Sequence, residues 1–489
     1  MEAYAGFYVR LLWLACYWHR VYPHAMSTSA VHIKTLGRKD IVLFTVSAIV
    51  LQDTLAGSAS VGASAVFWWL FLGIVFFVPY ALICAELGTT YPEQGGVYAW
   101  VRDAFGRRWA SRATWAYWVN TAVWIPANVM LFAGIFKQMF MPDMNLTTQI
   151  AIGILLTWVT VGINAITLSV GKWVPNLGAL IKIVVIVAII LGAVGYVQTN
   201  GMANALTLET MRPRFDTSLE YFSVIIYGML GFELASAGSE EMKDPARDVP
   251  FSILVSGVSI ILLYTCATIA ILAAIPADNI DLVQGLMDTL YLFFGDTGPG
   301  RTLAVALGVG ALYSFFSNSV TWSLGCNRAI AEAAAEREFP AVFAYEHPRL
   351  GTPIGAAAMM GVVSTASLVI YGFIAESNAD LFWSLFAFSA AIFFVPYVLL
   401  VFAFAKLRSS DADRPRPYRV PGGDGFGNLI AIVCGVALLA ALVLLIYTPG
   451  IGIDRPVLIG FLTTMLGGEI IIRITEKSRH ADPASRSES

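Results

Sequence analysis

The chain has 489 residues, of which 57% are hydrophobic and only 13% are charged, and its formal net charge is −3. A soluble protein of this length carries roughly a quarter charged residues, so the composition excludes an ordinary soluble domain and indicates a chain that lies mostly in lipid. The nearly balanced charge gives no reason to expect nucleic acid as a partner.

Long apolar stretches recur along the chain, and a helix needs about 20 such residues to cross a bilayer. Together they predict an all-α polytopic membrane protein with about twelve spans, at residues 39–61, 64–88, 111–140, 147–167, 174–198, 218–239, 250–275, 301–331, 354–374, 380–406, 427–448 and 455–474. Residues 1–35 are expected to form a cytoplasmic extension, with Met26 as a natural alternative start. Residues 476–489 are polar and predict a disordered cytoplasmic tail.

Lysine and arginine are concentrated in the segments that alternate spans would place on one side of the membrane. If the N-terminus is cytoplasmic, these segments include Arg102, Arg107 and Arg108 after the second span, and Arg414 and Arg416 after the tenth. Cytoplasmic loops are the ones enriched in basic residues. The sequence therefore predicts a multi-pass protein of the plasma (inner) membrane with both termini in the cytoplasm.

Two spans carry small, polar and acidic residues at their centres. The first contains Leu51–Ser60 (LQDTLAGSAS), and the sixth contains Tyr227–Gly238 (YGMLGFELASAG). Glycine lets a backbone leave the helix, here at Gly57 and at Gly228 with Gly231. These features predict that both helices are broken inside the membrane. Alternatively, both are tilted, continuous helices whose glycines serve helix packing.

A broken helix exposes peptide groups to a small charged molecule, because its carbonyl groups attract an ammonium or a cation and its amide groups attract a carboxylate. The breaks lie five spans apart and predict two inverted repeats, residues 36–200 and 215–408, followed by two peripheral spans within 425–475. The candidate substrate-binding residues in the breaks are Gln52, Asp53, Thr54, Ala56, Gly57, Ser58, Tyr227, Gly228, Gly231, Phe232 and Glu233.

Three charged residues, Asp53, Lys182 and Glu233, lie well away from the ends of their predicted spans, where charge is costly and commonly functional. Asp53 either holds a substrate ammonium or a proton, or faces an outer vestibule or pairs with a lysine. Glu233 either binds substrate or couples protons, or caps the broken sixth helix. Lys182, in the fifth span, needs a partner: it either couples transport or forms a structural ion pair with Asp53 or Glu233.

Four stretches, in order along the chain, are similar to signatures of the amino acid–polyamine–organocation (APC) transporter superfamily: Ala85–Val101, Gly231–Pro250, Pro348–Pro353 and Arg416–Gly423. The resemblance implies a LeuT-like fold with broken helices 1 and 6, alternating access, and a site between helices 1, 3, 6, 8 and 10. Within the superfamily, the chain most resembles the glutamate/γ-aminobutyrate antiporter group.

The resemblance adds candidate site residues outside the breaks. Trp322 on the eighth helix is similar to that group, and Asn318 stands where the group has an acidic residue. Lys182 resembles a fifth-helix lysine that takes the place of a sodium ion in proton-coupled relatives, which implies no sodium dependence. The first break lacks the proline and aromatic residues of the group, so glutamate exchange does not carry over.

The sequence therefore predicts a secondary active transporter that moves an amino acid or a related amine, coupled to protons or by exchange with a counter-substrate. A nutrient sensor or a channel without coupled flux is the alternative. The sequence shows no P-loop, cysteine–histidine cluster or nucleophile–base pair, so no enzymatic activity, catalytic residue, cofactor or metal site is expected. Beyond its small-molecule substrate, the expected partner is membrane lipid.

Overall fold

The computed structural model describes residues 37–50, 52–92, 96–166, 173–213, 219–236, 244–280, 285–450 and 452–481. Its helices, in chain order, are α1 (Arg38–Ile49), α2 (Gln52–Ala59), α3 (Ser64–Thr90), α4 (Val97–Phe105), α5 (Arg107–Phe140), α6 (Leu146–Asn164), α7 (Trp173–Asn200), α8 (Glu220–Tyr227), α9 (Glu233–Ser236), α10 (Pro245–Ala274), α11 (Gly285–Phe294), α12 (Gly298–Ala335), α13 (Ile354–Gly372), α14 (Asn378–Ser410), α15 (Gly423–Ile446) and α16 (Arg455–Ala481).

The twelve predicted spans each correspond to a helix or a broken helix. In the described part of the chain, 10 helices are long and apolar enough to cross a membrane, and the first and sixth predicted spans are each divided into two shorter helices. The prediction of a multi-pass helical protein with broken helices 1 and 6 is confirmed. The only strands in the described ranges are β1 (Tyr447–Thr448) and β2 (Gly452–Ile453), which pair antiparallel between α15 and α16.

The first break lies between α1 and α2, where Val50 has an extended backbone (φ −72°, ψ 102°). The prediction that Gly57 interrupts this helix is wrong, because Gly57 lies inside α2. A helix can end without a glycine where other groups satisfy its last carbonyls. At the second break, between α8 and α9, Gly231 has φ +130°, a conformation that suits glycine. Gly228 keeps a right-handed conformation (φ −66°).

The helix α5 lies at the centre of the bundle, where it packs against α12 and α14. In its most apolar 18-residue window, 89% of the residues are buried, compared with 22% in the corresponding windows of α6 and α16. A helix that is apolar all round belongs in the interior or in contact with lipid. The low burial of α6 and α16 therefore assigns their outer faces to lipid.

The C-terminal helix α16 extends beyond the predicted end of the last span. Residues 476–481 are helical, so the predicted disordered tail is wrong for this part, and the remainder lies outside the described residues, as does the predicted extension 1–35. Arg108 pairs with Glu476 at 3.4 Å, and Arg479 pairs with Glu338 at 3.4 Å. These contacts join the end of α16 to α5 and to the segment that follows α12.

Close packing between α7 and α12 gives a test of this arrangement. A Cβ atom added at Gly178 of α7 would collide with the Ser317 side chain of α12, and overpacking of this kind costs about 1–3 kcal/mol. We expect Gly178→Ala to lower the thermal unfolding temperature of the purified protein in detergent by several degrees. Gly195→Ala is the matched control on the same helix, since a Cβ there meets nothing within 4 Å. Equal stability of the two variants would contradict the helix packing described.

Candidate substrate site

Side chains from three other helices bind the carbonyl groups at the end of α1. The last carbonyls of a helix have no partner within the helix, and α1 ends in the interior of the bundle, where water cannot replace that partner. Each carbonyl receives a different donor: Lys182 Nζ donates to Ser47 O (2.8 Å), Trp322 Nε1 to Ala48 O (3.0 Å) and the Tyr264 hydroxyl to Ile49 O (2.7 Å). Side chains of α7, α12 and α10 thus satisfy the carbonyl groups at the first break.

Lys182 lies beside the end of α1. Its side chain is fully buried, and its Nζ also lies 3.4 Å from Asn318 Oδ1. The hydroxyl of Ser47 is 3.1 Å from that of Thr321. Lys182 therefore sits among oxygen atoms of α1 and α12, and Asn318, another predicted site residue, contacts this lysine. Its role in coupling stays a prediction.

The two breaks lie against each other. A Cβ atom at Gly228 would be 2.6 Å from Thr54 Cγ2 of α2, so the end of α8 approaches α2 closely. A Cβ atom at Gly231 would be 3.0 Å from Ile49 Cγ1 and 3.4 Å from Trp322 Cζ2. Only glycine permits this proximity together with the positive φ of Gly231. The unwound part of the sixth helix therefore borders both the end of α1 and the Trp322 ring.

Glu233, the first residue of α9, accepts hydrogen bonds from three tyrosine hydroxyls. Tyr80 donates to Oε2 at 2.5 Å, and Tyr117 and Tyr397 donate to Oε1 at 2.9 Å and 2.6 Å. We call these four residues the tyrosine cluster. The tyrosines come from α3, α5 and α14, so one carboxyl group joins four helices just beyond the second break. Neutral hydroxyls can satisfy a buried carboxylate without cancelling its charge.

Aromatic rings continue from the tyrosine cluster to the first break. The Phe232 and Tyr80 ring centroids are 6.1 Å apart, those of Tyr397 and Phe393 are 4.7 Å apart, and those of Phe393 and Trp322 are 5.3 Å apart. Ring faces attract cations, and most strongly so for organic ammonium groups held between several rings. A carboxyl group and aromatic faces together provide the chemistry that recognises an organic cation.

The predicted residues of the first break lie in α2, which contains Gln52, Asp53, Thr54, Ala56, Gly57 and Ser58. Thr54 and Ser58 are buried, whereas the side chains of the other four fall outside the described residues. At the second break, Phe232 and Glu233 are buried, and the Tyr227 ring lies 4.7 Å from that of Phe393. The structure brings the two breaks together, and substrate binding by these residues remains a prediction.

Four tyrosines at the centre of this arrangement were not predicted from the sequence: Tyr80, Tyr117, Tyr264 and Tyr397. Each lies in an apolar span where an aromatic residue is usually a packing residue. Their role as hydrogen-bond donors appears only in three dimensions, because each hydroxyl donates to a group from a distant part of the chain. The one available signal was the need of Glu233 for buried hydrogen-bond donors.

Buried ion pairs connect the loop between α14 and α15 to the end of α3. Glu86 accepts a hydrogen bond from the Val420 amide at 2.7 Å. Its other oxygen lies 3.1 Å from Arg416 Nε and 3.6 Å from Arg408 Nε. All three charged side chains are less than a tenth exposed. We call this set the Glu86 clamp.

Further polar contacts occur on the same side of the protein. The Tyr91 hydroxyl donates to Asp411 at 2.9 Å, and the Arg414 guanidinium carbon lies 4.2 Å from the centre of the Tyr91 ring. Burial, together with this hydrogen bond to a carboxylate, raises the pKa of Tyr91 to about 12. Arg38, at the start of α1, pairs with Asp248 near the start of α10. These contacts join the end of α3 to the end of α14, and the start of α1 to the start of α10.

Comparison with known proteins identifies the family. Residues 36–467 match the amino acid permease family. The chain belongs to this family. As a permease of the APC superfamily, it is a secondary transporter of amino acids or related amines, as the sequence predicts.

The relatives of the permease include transporters of amines. It is 33% identical over 455 residues to the probable agmatine/putrescine antiporter AguD of Lactococcus lactis, an alignment that covers 91% of this chain and 96% of that protein. It is 25% identical to the polyamine transporter PUT1 of Oryza sativa, covering 86% and 75%. It is 23% identical to the glutamate/γ-aminobutyrate antiporter of Lactococcus lactis, covering 85% and 86%.

Solved structures share the fold of the permease. The transporter MhsT in complex with L-phenylalanine aligns with a TM-score of 0.60 and 14% identity, covering 84% of this chain and 98% of that one. The Eremococcus coleocola manganese transporter aligns with a TM-score of 0.56 and 12% identity, covering 92% and 98%. Both matches confirm the predicted LeuT-like fold.

Lys182 provides a test of the first break. Replacing it with alanine removes the donor of the Ser47 carbonyl, so we expect transport to fall at least about tenfold. The variant should still be recovered as a monodisperse protein, because α7 keeps its other packing contacts. Uptake and thermal stability are measured on the same preparation. Wild-type flux in Lys182→Ala would exclude a role in transport, and loss of folded protein would assign the residue to stability alone.

Proposed function

We propose that this permease exchanges cationic amines, of the class of agmatine and putrescine, across the plasma membrane by alternating access. The observation that carries the proposal is the buried carboxyl group of Glu233, held by tyrosine hydroxyls beside aromatic rings and next to the two helix breaks. This chemistry favours a substrate with a positive charge and apolar methylene groups. The relationship to the agmatine/putrescine antiporter supports the same substrate class.

The proposed site uses both breaks. Asp53 in α2 and Glu233 in α9 would each take one cationic end of a diamine, while Tyr227, Phe232 and Trp322 would cover its methylene chain. The remaining backbone and polar groups would come from Gln52, Thr54, Ala56, Gly57, Ser58, Gly228, Gly231 and Asn318. An interior site with a carboxylate at each end discriminates against neutral and acidic amino acids, because the carboxylate of the amino acid would face a carboxylate of the protein.

Exchange also defines the energetics of the proposed transport. Agmatine and putrescine each carry two positive charges at neutral pH, so one-for-one exchange moves no net charge across the membrane. The driving force is then the concentration gradient of the counter-substrate, with no need for sodium, since Lys182 already places a cation beside α1.

We propose inverted repeats at residues 36–200 and 215–408, with both chain termini in the cytoplasm and lipid around the outer helices.

Proteoliposomes test the exchange directly. We expect labelled agmatine to enter vesicles loaded with putrescine and to enter empty vesicles at a much lower rate. Because exchange is electroneutral, a potassium diffusion potential set with valinomycin should leave the rate unchanged. A panel of neutral and acidic amino acids serves as competitors. Uptake that requires no internal substrate would contradict exchange, and stronger competition by glutamate or γ-aminobutyrate than by putrescine would contradict the substrate class.

Glu233→Gln tests the proposed role of the carboxyl group. Glutamine preserves the size of the side chain and one acceptor oxygen, but it removes the charge that would hold a substrate cation. Hydrogen bonds to charged groups are worth about 1.5–3 kcal/mol, so we expect the KM for agmatine to rise about tenfold or more.

Glu338→Gln is the matched control, since Glu338 is also a buried carboxylate but pairs with Ser111 and Arg479 away from both breaks. The control should retain the wild-type KM. An unchanged KM in Glu233→Gln, with only kcat reduced, would show that Glu233 controls conformational change without attracting the substrate.

A further inference from the structure

Trp322 occupies the space between the two helix breaks. Its indole N–H donates to the Ala48 carbonyl at the end of α1 (3.0 Å). The neighbouring edge of its six-membered ring borders Gly231, where an added Cβ atom would lie 3.4 Å from Trp322 Cζ2. One side chain therefore contacts both unwound segments, and it is buried there. A substrate that lies between two broken helices must use the same region.

The three side chains that donate to the end of α1 are not equivalent. The Tyr264 ring is stacked on Trp69, with 4.2 Å between centroids and 11° between planes, which fixes it against α3. Lys182 is held from the other side by Asn318. The Trp322 ring instead packs among the rings next to the breaks, at 5.3 Å from Phe393. Of the three donors, Trp322 is the one that lies between the breaks.

A peptide carbonyl has two lone pairs, but the Trp322 ring fills the space between the breaks, so its N–H and a substrate ammonium compete for the Ala48 carbonyl. The indole is a neutral donor, whereas hydrogen bonds from a charged group are roughly twice as strong. A cationic amine can therefore take the Ala48 carbonyl from Trp322, and the indole can turn its face to the cation. A ligand without an N–H group would displace the indole and leave a buried carbonyl without a donor, which is costly.

We infer that the Trp322 indole N–H occupies the position of a substrate N–H group on the Ala48 carbonyl and is displaced when substrate binds. The hydrogen bond from the Trp322 N–H thereby lowers the affinity for substrate, although the ring itself contacts the substrate, and the Ala48 carbonyl selects for cations that carry N–H donors. The inference rests on the proposed function, because it requires a substrate with a cationic N–H group. Tyr264 has a different role in this inference. It is a positioning residue whose hydroxyl stays bonded to the Ile49 carbonyl both with and without substrate.

Equilibrium binding of labelled putrescine to the purified full-length protein tests the inference. Trp322→Phe keeps an aromatic face and removes the competing N–H, so we expect the Kd for putrescine to fall about fivefold, the effect of removing one competing hydrogen bond. Tyr264→Phe removes one hydroxyl donor from the neighbouring carbonyl and should not lower the Kd. The hexamethylated analogue of putrescine should bind the wild type at least about tenfold more weakly than putrescine. In Trp322→Phe, the Kd of this analogue should fall by the same factor as that of putrescine, about fivefold.

The outcomes separate this inference from the proposed function. An unchanged or higher Kd for putrescine in Trp322→Phe, or an equal fall in Tyr264→Phe, would overturn the inference while wild-type exchange of amines stands. A wild-type protein that neither binds nor exchanges any cationic amine would overturn the proposed function itself. If Trp322→Phe does not fold, benzothienylalanine at position 322 preserves the shape of the indole with sulfur in place of the N–H, and the same fall in Kd is expected.

Discussion

The centre of this permease depends on satisfying the carbonyl groups where α1 ends. A buried carbonyl left without a donor costs about 1–3 kcal/mol, so three of them would remove much of the 5–15 kcal/mol by which a typical domain is stable. Lys182, Tyr264 and Trp322 supply the three donors from three different helices. The broken helix therefore cannot exist apart from its neighbours, and the orientation of α7, α10 and α12 is tied to the exact carbonyl that each one serves.

This arrangement changes the expectation that the broken helix offers free carbonyl groups to a substrate. In the structure, the carbonyls of Ser47, Ala48 and Ile49 are already bound by side chains. Polar groups in the membrane interior are retained only with partners, so a resting transporter must provide internal donors where the substrate is absent. If substrate binds these carbonyls as proposed, binding is an exchange of donors, and the affinity for substrate is the difference between two sets of hydrogen bonds.

The sequence predicted the spans and the existence of both breaks, but not the contacts that maintain them. Hydropathy identifies the spans because lipid tolerates few polar residues, and Asp53, Lys182 and Glu233 stand out for the same reason. The predicted position of the first break was wrong, because the actual position is set by donors on other helices and not by Gly57. The tyrosine cluster was missed because Tyr80, Tyr117 and Tyr397 cannot be distinguished in sequence from aromatic residues that only pack.

The helix α3 takes part in two sets of buried contacts, through Tyr80 and through Glu86, and the two sets differ in the partners that must be separated. The tyrosine cluster consists of hydroxyl bonds to Glu233, which a cationic ligand can replace with bonds of its own. The Glu86 clamp consists of buried charges, and removing one partner from such a set leaves an uncompensated charge at a cost of about 3–5 kcal/mol.

A transporter that opens and closes in every cycle separates most readily the contacts that its substrate can replace. We therefore expect the end of α3 and the loop before α15 to move together, with the Glu86 clamp intact. On the proposed function, the change of access occurs at the tyrosine cluster, next to the breaks, where bonds to a cation can compensate the hydroxyl bonds that are lost.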